Sequence, residues 1–367
     1  MFYTSDRDRL SEVKEHKVNT VNLEKIGQLI VEGYITKRPH FSGELFIYNY
    51  TPKAQYDRMW TPETIQCRGL ILDSNGAIAA RPLPKFFNLQ EHQEALPTLA
   101  FDIYEKLDGS LGILYWHQNQ PYIASRGSFN SDQAVKANQI LQTLYAESIP
   151  LLDQSLTYLF EIIYPSNRIV VDYGAYEALV LLAVIETESG LEKSIDLFTH
   201  LGFPIAKKYD GLKDLKAIAL LNEQNQEGFV IRFENGLRLK FKFADYVKLH
   251  RVLTQVTSKV IWEMLRDKTN FEDILERVPD EFYNWVKETK ASLIAQYQQI
   301  EDAAKLDFER IMAVVDRSDR KEMAKHILTC QNHSILFSLL DGKDYSDYIW
   351  RAIKPVHEKP FVDNDEN

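Results

Sequence analysis

The run Glu227-Gly-Phe-Val-Ile-Arg-Phe-Glu-Asn-Gly-Leu-Arg-Leu-Lys-Phe-Lys-Phe243 constrains the fold of this chain more than any other stretch. Apolar residues recur at every second position on both sides of Asn235-Gly236, the period of a half-buried strand, and Asn-Gly is the strongest short signal for a hairpin. With a two-residue type I′ loop, Glu234 pairs with Leu237, and the ladder sets Phe229 against Lys242, Ile231 against Lys240 and Phe233 against Arg238. One face then carries Glu227, three apolar side chains and three cations, while Val230, Leu239 and Phe241 turn the other way. That face suits a base lying over phosphates. It equally suits long cations along a solvated strand edge.

A second stretch, Tyr104-Glu105-Lys106-Leu107-Asp108-Gly109-Ser110, joins two short strand patterns, Phe101 to Tyr104 and Leu111 to Trp116. Lys106 therefore sits at a strand end beside a tight turn, where its amine can face a pocket. An amine so placed can attack phosphorus if neighbouring cations or desolvation free it of its proton. Lys-x-Asp-Gly alone is weak, arising by chance in roughly one chain in ten of this length. An exposed lysine before a turn is the competing reading until the other parts of a nucleotide site follow in order.

Those parts lie on either side. Gly69 to Leu72, Asp73-Ser74-Asn75-Gly76 and Ala77 to Ala80 read as a hairpin, with Arg68 before it and Arg81 and Lys85 after it. These cations are either gatekeepers of a hairpin edge or phosphate ligands. Arg126-Gly127-Ser128, after the strand Tyr122 to Ser125, is a plain turn or an anion-binding one. Val135 to Tyr145 has helical spacing. From Tyr158 to Tyr173 two strands are expected around Pro165-Ser166-Asn167, and Glu161 falls inside the first with Leu159 and Ile163 on its own face. A carboxylate there needs a partner. Arg168 is one candidate, and a metal or ribose hydroxyl is another. Leu179 to Ile185 is an unbroken apolar run, read as a strand buried on both faces.

Beyond Val247-Lys248-Leu249-His250-Arg251 the period changes. A helical stripe runs through Phe282, Trp285, Val286, Leu293, Tyr297, Ile300, Ala304, Phe308, Ile311 and Val315, with further helices expected over 318–329, 333–340 and 345–353. The expected fold class is α+β, an antiparallel β-rich domain over 1–250 followed by an all-α domain over 251–367 ending in a polar, disordered tail from Val362. The chain of 367 residues is 45% apolar, enough for two cores, and carries 26 cations against 31 carboxylates in 1–250 and 17 against 22 in 251–367. Neither half is a general polyanion binder. The longest apolar run is too short to span a bilayer and the start lacks a leader-like segment, so no membrane role is expected. Two cysteines, Cys67 and Cys330, fit a reducing cytoplasm.

Taken in order, Lys106-Leu-Asp-Gly-Ser110, Ser125-Arg-Gly-Ser128, Phe160-Glu-Ile-Ile163, Glu227-Gly-Phe-Val230 and Leu239-Lys-Phe-Lys242 resemble the motifs of the covalent nucleotidyltransferase superfamily of polynucleotide ligases and capping enzymes. Gln66-Cys-Arg-Gly69, Arg81-Pro-Leu-Pro-Lys-Phe-Phe-Asn-Leu89 and Pro165-Ser-Asn-Arg-Ile-Val170 narrow the resemblance to the bacteriophage-type RNA ligase 1 family, over roughly residues 40–250.

The resemblance implies ATP-dependent joining of a 5′-phosphate RNA end to a 3′-hydroxyl end, with Mg²⁺ or Mn²⁺. Lys106 would take AMP, with Asp108, Lys240 and Lys242 beside it in catalysis. Arg68, Lys85, Lys240 and Lys242 match positions that contact the triphosphate, and Glu105, Gly109 and Arg126 fall in the nucleotide-binding set. Glu161 and Glu227 match positions of the nucleotide and metal site. Arg126 stands where the family's best-known pattern has lysine, so a planar guanidinium replaces a compact ammonium. The implied partners are RNA ends, including cleaved tRNA, and a separate polynucleotide kinase-phosphatase. DNA ligases and GTP-using capping enzymes usually continue into an OB-fold, which the helical pattern after 251 disfavours. A non-catalytic RNA-binding protein of this fold is the remaining alternative, and it has no need of a nucleophile beside paired carboxylates.

Overall fold

Asn22 accepts the Lys25 N–H and starts the first helix, α1 (Leu23–Val31), whose Ile26 and Leu29 turn inward. Strands β1 (Ile35–Pro39) and β2 (Leu45–Tyr50) follow, then two single-turn helices, α2 (Pro52–Tyr56) and α3 (Pro62–Gln66). Both short helices open on a threonine cap with proline at the first helical position. Next come β3 (Arg68–Asp73), β4 (Ile78–Ala80), β5 (Phe87–Asn88), β6 (Phe101–Lys106), β7 (Ser110–His117), β8 (Gln120–Ser125) and the helix α4 (Asp132–Leu144). The remaining strands are β9 (Leu156–Ile163), β10 (Ala178–Glu186), β11 (Glu192–Lys193), β12 (Gly228–Phe233) and β13 (Arg238–Lys242).

The computed structural model describes residues 21–92, 94–209, 215, 221–247, 256–271 and 283–355. The chain divides into two units, Met1–Tyr246 and Val247–Asn367. In the first, three sheets form with orders β1-β2-β3-β4, β11-β10-β9-β7-β8 and β5-β13-β12-β6, antiparallel throughout except for β5 against β13. Leu45, Ile47 and Ile71 of the first sheet pack on Ile113, Tyr115, Leu159 and Ala183 of the second. The other face of the second sheet is covered by Ala137, Ile140 and Leu141 of α4. With both faces covered, β10 is apolar without alternation, as its run predicts.

Two expectations change here. Residues 168–173 form no strand, because the Val170 and Val171 N–H groups go to the Asp108 carboxylate instead of a sheet partner. The 233–237 hairpin has a three-residue loop, not two: Gly236 N–H and Leu237 O bond to Phe233, and Gly236 takes φ +84°. This is a type I turn closed by a left-handed glycine. The register shifts by one, pairing Gly228 with Lys242, Val230 with Lys240 and Arg232 with Arg238. Phe229, Ile231, Phe233, Leu239 and Phe241 are thereby gathered on one buried face, each contributing about 1.5–3 kcal/mol. The two-residue register would drive Lys240 and Lys242 into that core.

The second unit is helical among the described residues: α5 (Ser258–Asp267), α6 (Tyr283–Met312), α7 (Arg320–Leu328), α8 (His333–Asp341) and α9 (Ser346–Ala352). Its core joins Ala304 and Ile311 of α6 to Met323, Ile327, Ile335, Leu336, Leu340 and Ile349. The Trp262 indole donates to Trp350 O at 2.8 Å. No described helix is long and apolar enough to cross a membrane. The expected domain boundary near 250, Phe282 and the tail 362–367 lie outside the described residues.

Candidate active site

Pairing across β6, β12 and β13 sets three rows of side chains on the face opposite the phenylalanines. Lys106 aligns with Gly228 and Lys242, Tyr104 with Val230 and Lys240, and Asp102 with Arg232 and Arg238. Lys106 Nζ lies 2.6 Å from Glu227 Oε2, and Lys242 Nζ lies 3.2 Å from Glu227 Oε1. Glu227 is only 3% exposed, and each of its oxygens is paired with an ammonium group.

Strict alternation would have sent Glu227 to the phenylalanine face. It reaches the lysines because Gly228 adopts φ +146°, a conformation that side-chain-bearing residues rarely take. A Cβ on Gly228 would stand 1.9 Å from Phe241 O and 2.8 Å from Lys242 Cα. Glycine at this position is thus what delivers the carboxylate to Lys106.

The turn after Lys106 carries the chain from the third sheet into the second. Asp108 anchors it: Oδ2 accepts the Val170 and Val171 N–H groups at 2.8 Å each, and Oδ1 accepts the Tyr246 hydroxyl at 2.7 Å. The Asp108 N–H donates to Tyr173 Oη at 2.9 Å. Three hydrogen bonds from the chain occupy a carboxylate that is 3% exposed, so Asp108 shapes the turn. The catalytic expectation for Asp108 stands beside this anchoring role.

Gly109 N–H donates to Glu161 Oε1 at 3.0 Å. A Cβ on Gly109 would meet Ile162 O at 2.6 Å and Glu161 Cγ at 3.1 Å, so the turn packs directly on β9. Burial, reinforced by the neighbouring Glu227 charge, pushes the Glu161 carboxyl up to about 7, against the opposing pull of Lys106, Arg68 and the Gly109 N–H. Arg168 is not its partner; that guanidinium pairs with Asp172 at 2.8 Å on the surface.

Around this centre stand further cations. Lys240 is buried and aligned with Asn88 of β5. Arg68 opens β3 with its guanidinium 5.3 Å from the Phe86 ring, and its charge reaches Glu161. Lys85 and Arg126 both approach the Tyr50 ring, at 5.5 and 5.4 Å. The guanidinium of Arg126 also donates to Tyr50 Oη at 3.5 Å. Arg81, by contrast, holds the turn after β10 through Thr187 O and Glu188 O, at 3.0 Å each. Glu105 is not brought in: it aligns with Phe229, on the face opposite Lys106, where burial raises its carboxyl and Lys207 is the nearby charge.

A metal was expected at Glu161 and Glu227. Among the described residues no three His, Cys, Asp or Glu side chains converge on a metal site. Magnesium commonly takes one or two protein carboxylates and completes its shell with water and substrate phosphates. Glu161, with one oxygen taken by Gly109, fits that role; Glu227 has both oxygens engaged by lysines.

Comparison with known proteins identifies the family. The RNA ligase family model of the T4 RNA ligase 1 type matches residues 66–248. A Thermovibrio ammonificans protein provisionally named an RNA ligase is 28% identical over 223 residues, covering 56% of this chain and 58% of its own length. A provisionally named bifunctional polynucleotide kinase/RNA ligase of Autographa californica nuclear polyhedrosis virus is 26% identical over 235 residues, 57% of this chain and 34% of its own. An RNA ligase of Rhodothermus phage RM378 is 22% identical over 385 residues, 82% of this chain and 86% of its own. The chain thus spans about half and a third of the first two relatives. Among solved structures, an archaeal ATP-dependent RNA ligase covers 89% of this chain and 97% of its own, at 13% identity and a TM-score of 0.45. By the family model and these relatives together, the chain belongs to the RNA ligase family of the T4 RNA ligase 1 type.

Proposed function

We propose that this protein is an ATP-dependent RNA ligase that joins a 5′-phosphate end to a 3′-hydroxyl end through a lysyl-adenylate on Lys106. The observation that carries the reading is the ion triad Lys106–Glu227–Lys242 in a strand row adjoining Lys240. A lysine at a strand end, held 2.6 Å from a buried carboxylate among further cations, is placed for phosphoryl chemistry, because a charged α-phosphate can replace the carboxylate in that nest.

In this mechanism the Lys106 amine gives its proton to Glu227 and attacks the α-phosphorus, forming a P–N bond as the bond to pyrophosphate breaks. Lys242 and Lys240 face the charge that builds on the non-bridging oxygens, and Arg68 and Lys85 receive the pyrophosphate. Lys106 then yields the adenylate to the RNA 5′-phosphate, and the 3′-hydroxyl displaces AMP. A magnesium ion, when bound, would neutralise phosphate charge beside Glu161.

We place the activity in RNA repair in a reducing cytoplasm, with cleaved tRNA as the substrate class. Burial pushes the Cys67 thiol up to about 12, which keeps it inert. The name of the baculoviral relative joins a polynucleotide kinase to a ligase. For this chain we assign the preparation of ends to a separate kinase-phosphatase. The test is transfer of label from α-labelled ATP or GTP to 5′-phosphorylated RNA or DNA. Label on RNA from ATP alone supports the reading; transfer from GTP, or preference for DNA ends, overturns it.

A further inference from the structure

Lys85 is 8% exposed, and three aromatic rings surround its ammonium. The nitrogen lies 5.5 Å from the Tyr50 ring centroid, 5.4 Å from Trp60 and 5.6 Å from Phe87, with Gln55 Oε1 at 3.3 Å. The rings brace one another edge to face, Tyr50 with Trp60 at 5.3 Å and Trp60 with Phe87 at 5.4 Å. Trp60 is therefore the middle wall, touching both of the others. The Lys85 N–H donates to Ile65 O at 2.9 Å, which fixes the start of the side chain.

A cation within about 6 Å of a ring face is drawn to its negative quadrupole, and the attraction grows as water is excluded. Three such rings attract the buried ammonium and restrict a side chain that would sample many rotamers in water. The cage also stands in the right place. Phe87 aligns with Leu239 and Asn88 with Lys240, so its floor is the strand beside the one that bears the site lysines.

We infer that Trp60 is a positioning residue of the adenylylation step, holding the Lys85 ammonium ready for the pyrophosphate portion of ATP. The inference rests on the ligase reading above. Trp60 lies before residues 66–248, the part matched by the family model, and acts only through Lys85. Its effect is confined to the step that involves a triphosphate. Joining of pre-adenylylated RNA, which has no pyrophosphate to expel, is independent of it.

The experiment measures both steps in the full chain. Trp60→Leu is expected to lower kcat/KM for ATP in enzyme-adenylate formation by roughly two- to thirty-fold, mostly through KM. Joining of pre-adenylylated RNA stays at the wild-type rate, and Trp60→Phe restores most of the loss. Site-specific replacement of Trp60 by tryptophans bearing successive fluorines keeps the ring's shape while draining its negative face. Adenylylation should then fall with each fluorine, a readout that remains even if the leucine variant does not fold. Equal losses in both steps, a phenylalanine variant as poor as leucine, or indifference to fluorination would overturn the inference. A wild-type protein that forms no adenylate but is otherwise folded would instead sink the ligase reading itself.

Discussion

Replacing Gly228 with alanine tests the claim that one backbone conformation delivers Glu227 to Lys106. The added Cβ would lie 1.9 Å from Phe241 O, and real Cβ atoms keep at least 3.0 Å from such neighbours, so β12 and β13 must part by more than an ångström. Relief by rotating φ away from +146° would return Glu227 toward the phenylalanine face. Strain of this kind costs about 1–3 kcal/mol, and lost ladder bonds and the disturbed buried ion triad add to it. Each kcal/mol corresponds to a melting shift of roughly 2–4 °C in a unit of this size, so a fall of about 5–15 °C is expected. A displacement near 1 Å at a reacting group costs on the order of a hundred-fold in rate, which single-turnover formation of the enzyme-adenylate measures directly. The double variant Gly228→Ala with Glu227→Gln should be little worse than either single change, because both act on the same ion pair. An alanine variant that adenylylates within a few-fold of wild type, whatever its melting temperature, would refute the reasoning.

Asp108→Ala should destabilise the protein by about 2–4 kcal/mol in chemical denaturation, because the Val170 and Val171 N–H groups and the Tyr246 hydroxyl all lose their acceptor. Unchanged stability would mean that the turn is held by other contacts. Glu161, with its carboxyl raised to about 7, contributes stability that is fully present below the ordinary value of 4.5 and is lost as pH rises through about 7. Glu161→Gln should therefore flatten the decline in stability between pH 5 and pH 8 by about 2 kcal/mol, a figure discounted because this side chain is partly open to solvent. Parallel curves for the two proteins would contradict it.

Much of this site was readable along the chain because its parts sit at element ends with local signatures. Lys106, Gly109, Glu161, Glu227, Lys240 and Lys242 all fall on strands or turns that apolar alternation delimits. The hairpin register was not readable, since Asn235-Gly236 serves a two-residue or a three-residue loop equally well, with glycine left-handed in each. Burial of five apolar side chains decides between them, and that is a tertiary effect. The anchoring contacts of Asp108 were hidden for a similar reason. Its partners Val170, Val171 and Tyr246 lie 62 to 138 positions away, and no local pattern announces them. Simple alternation puts Glu105 across the sheet from its neighbour Lys106. Trp60 and Tyr50 left no signal, because an aromatic residue bound for a cation cage looks like one bound for a core.

The central claim is that the Lys106 amine accepts adenylate. Intact mass of the protein after incubation with ATP and a divalent cation, followed by peptide mapping, tests it most directly. The account predicts the added mass of a single AMP, removed by pyrophosphate, mapped to Lys106 and absent from Lys106→Ala. No added mass in the wild type, or undiminished adenylylation of Lys106→Ala, would contradict it.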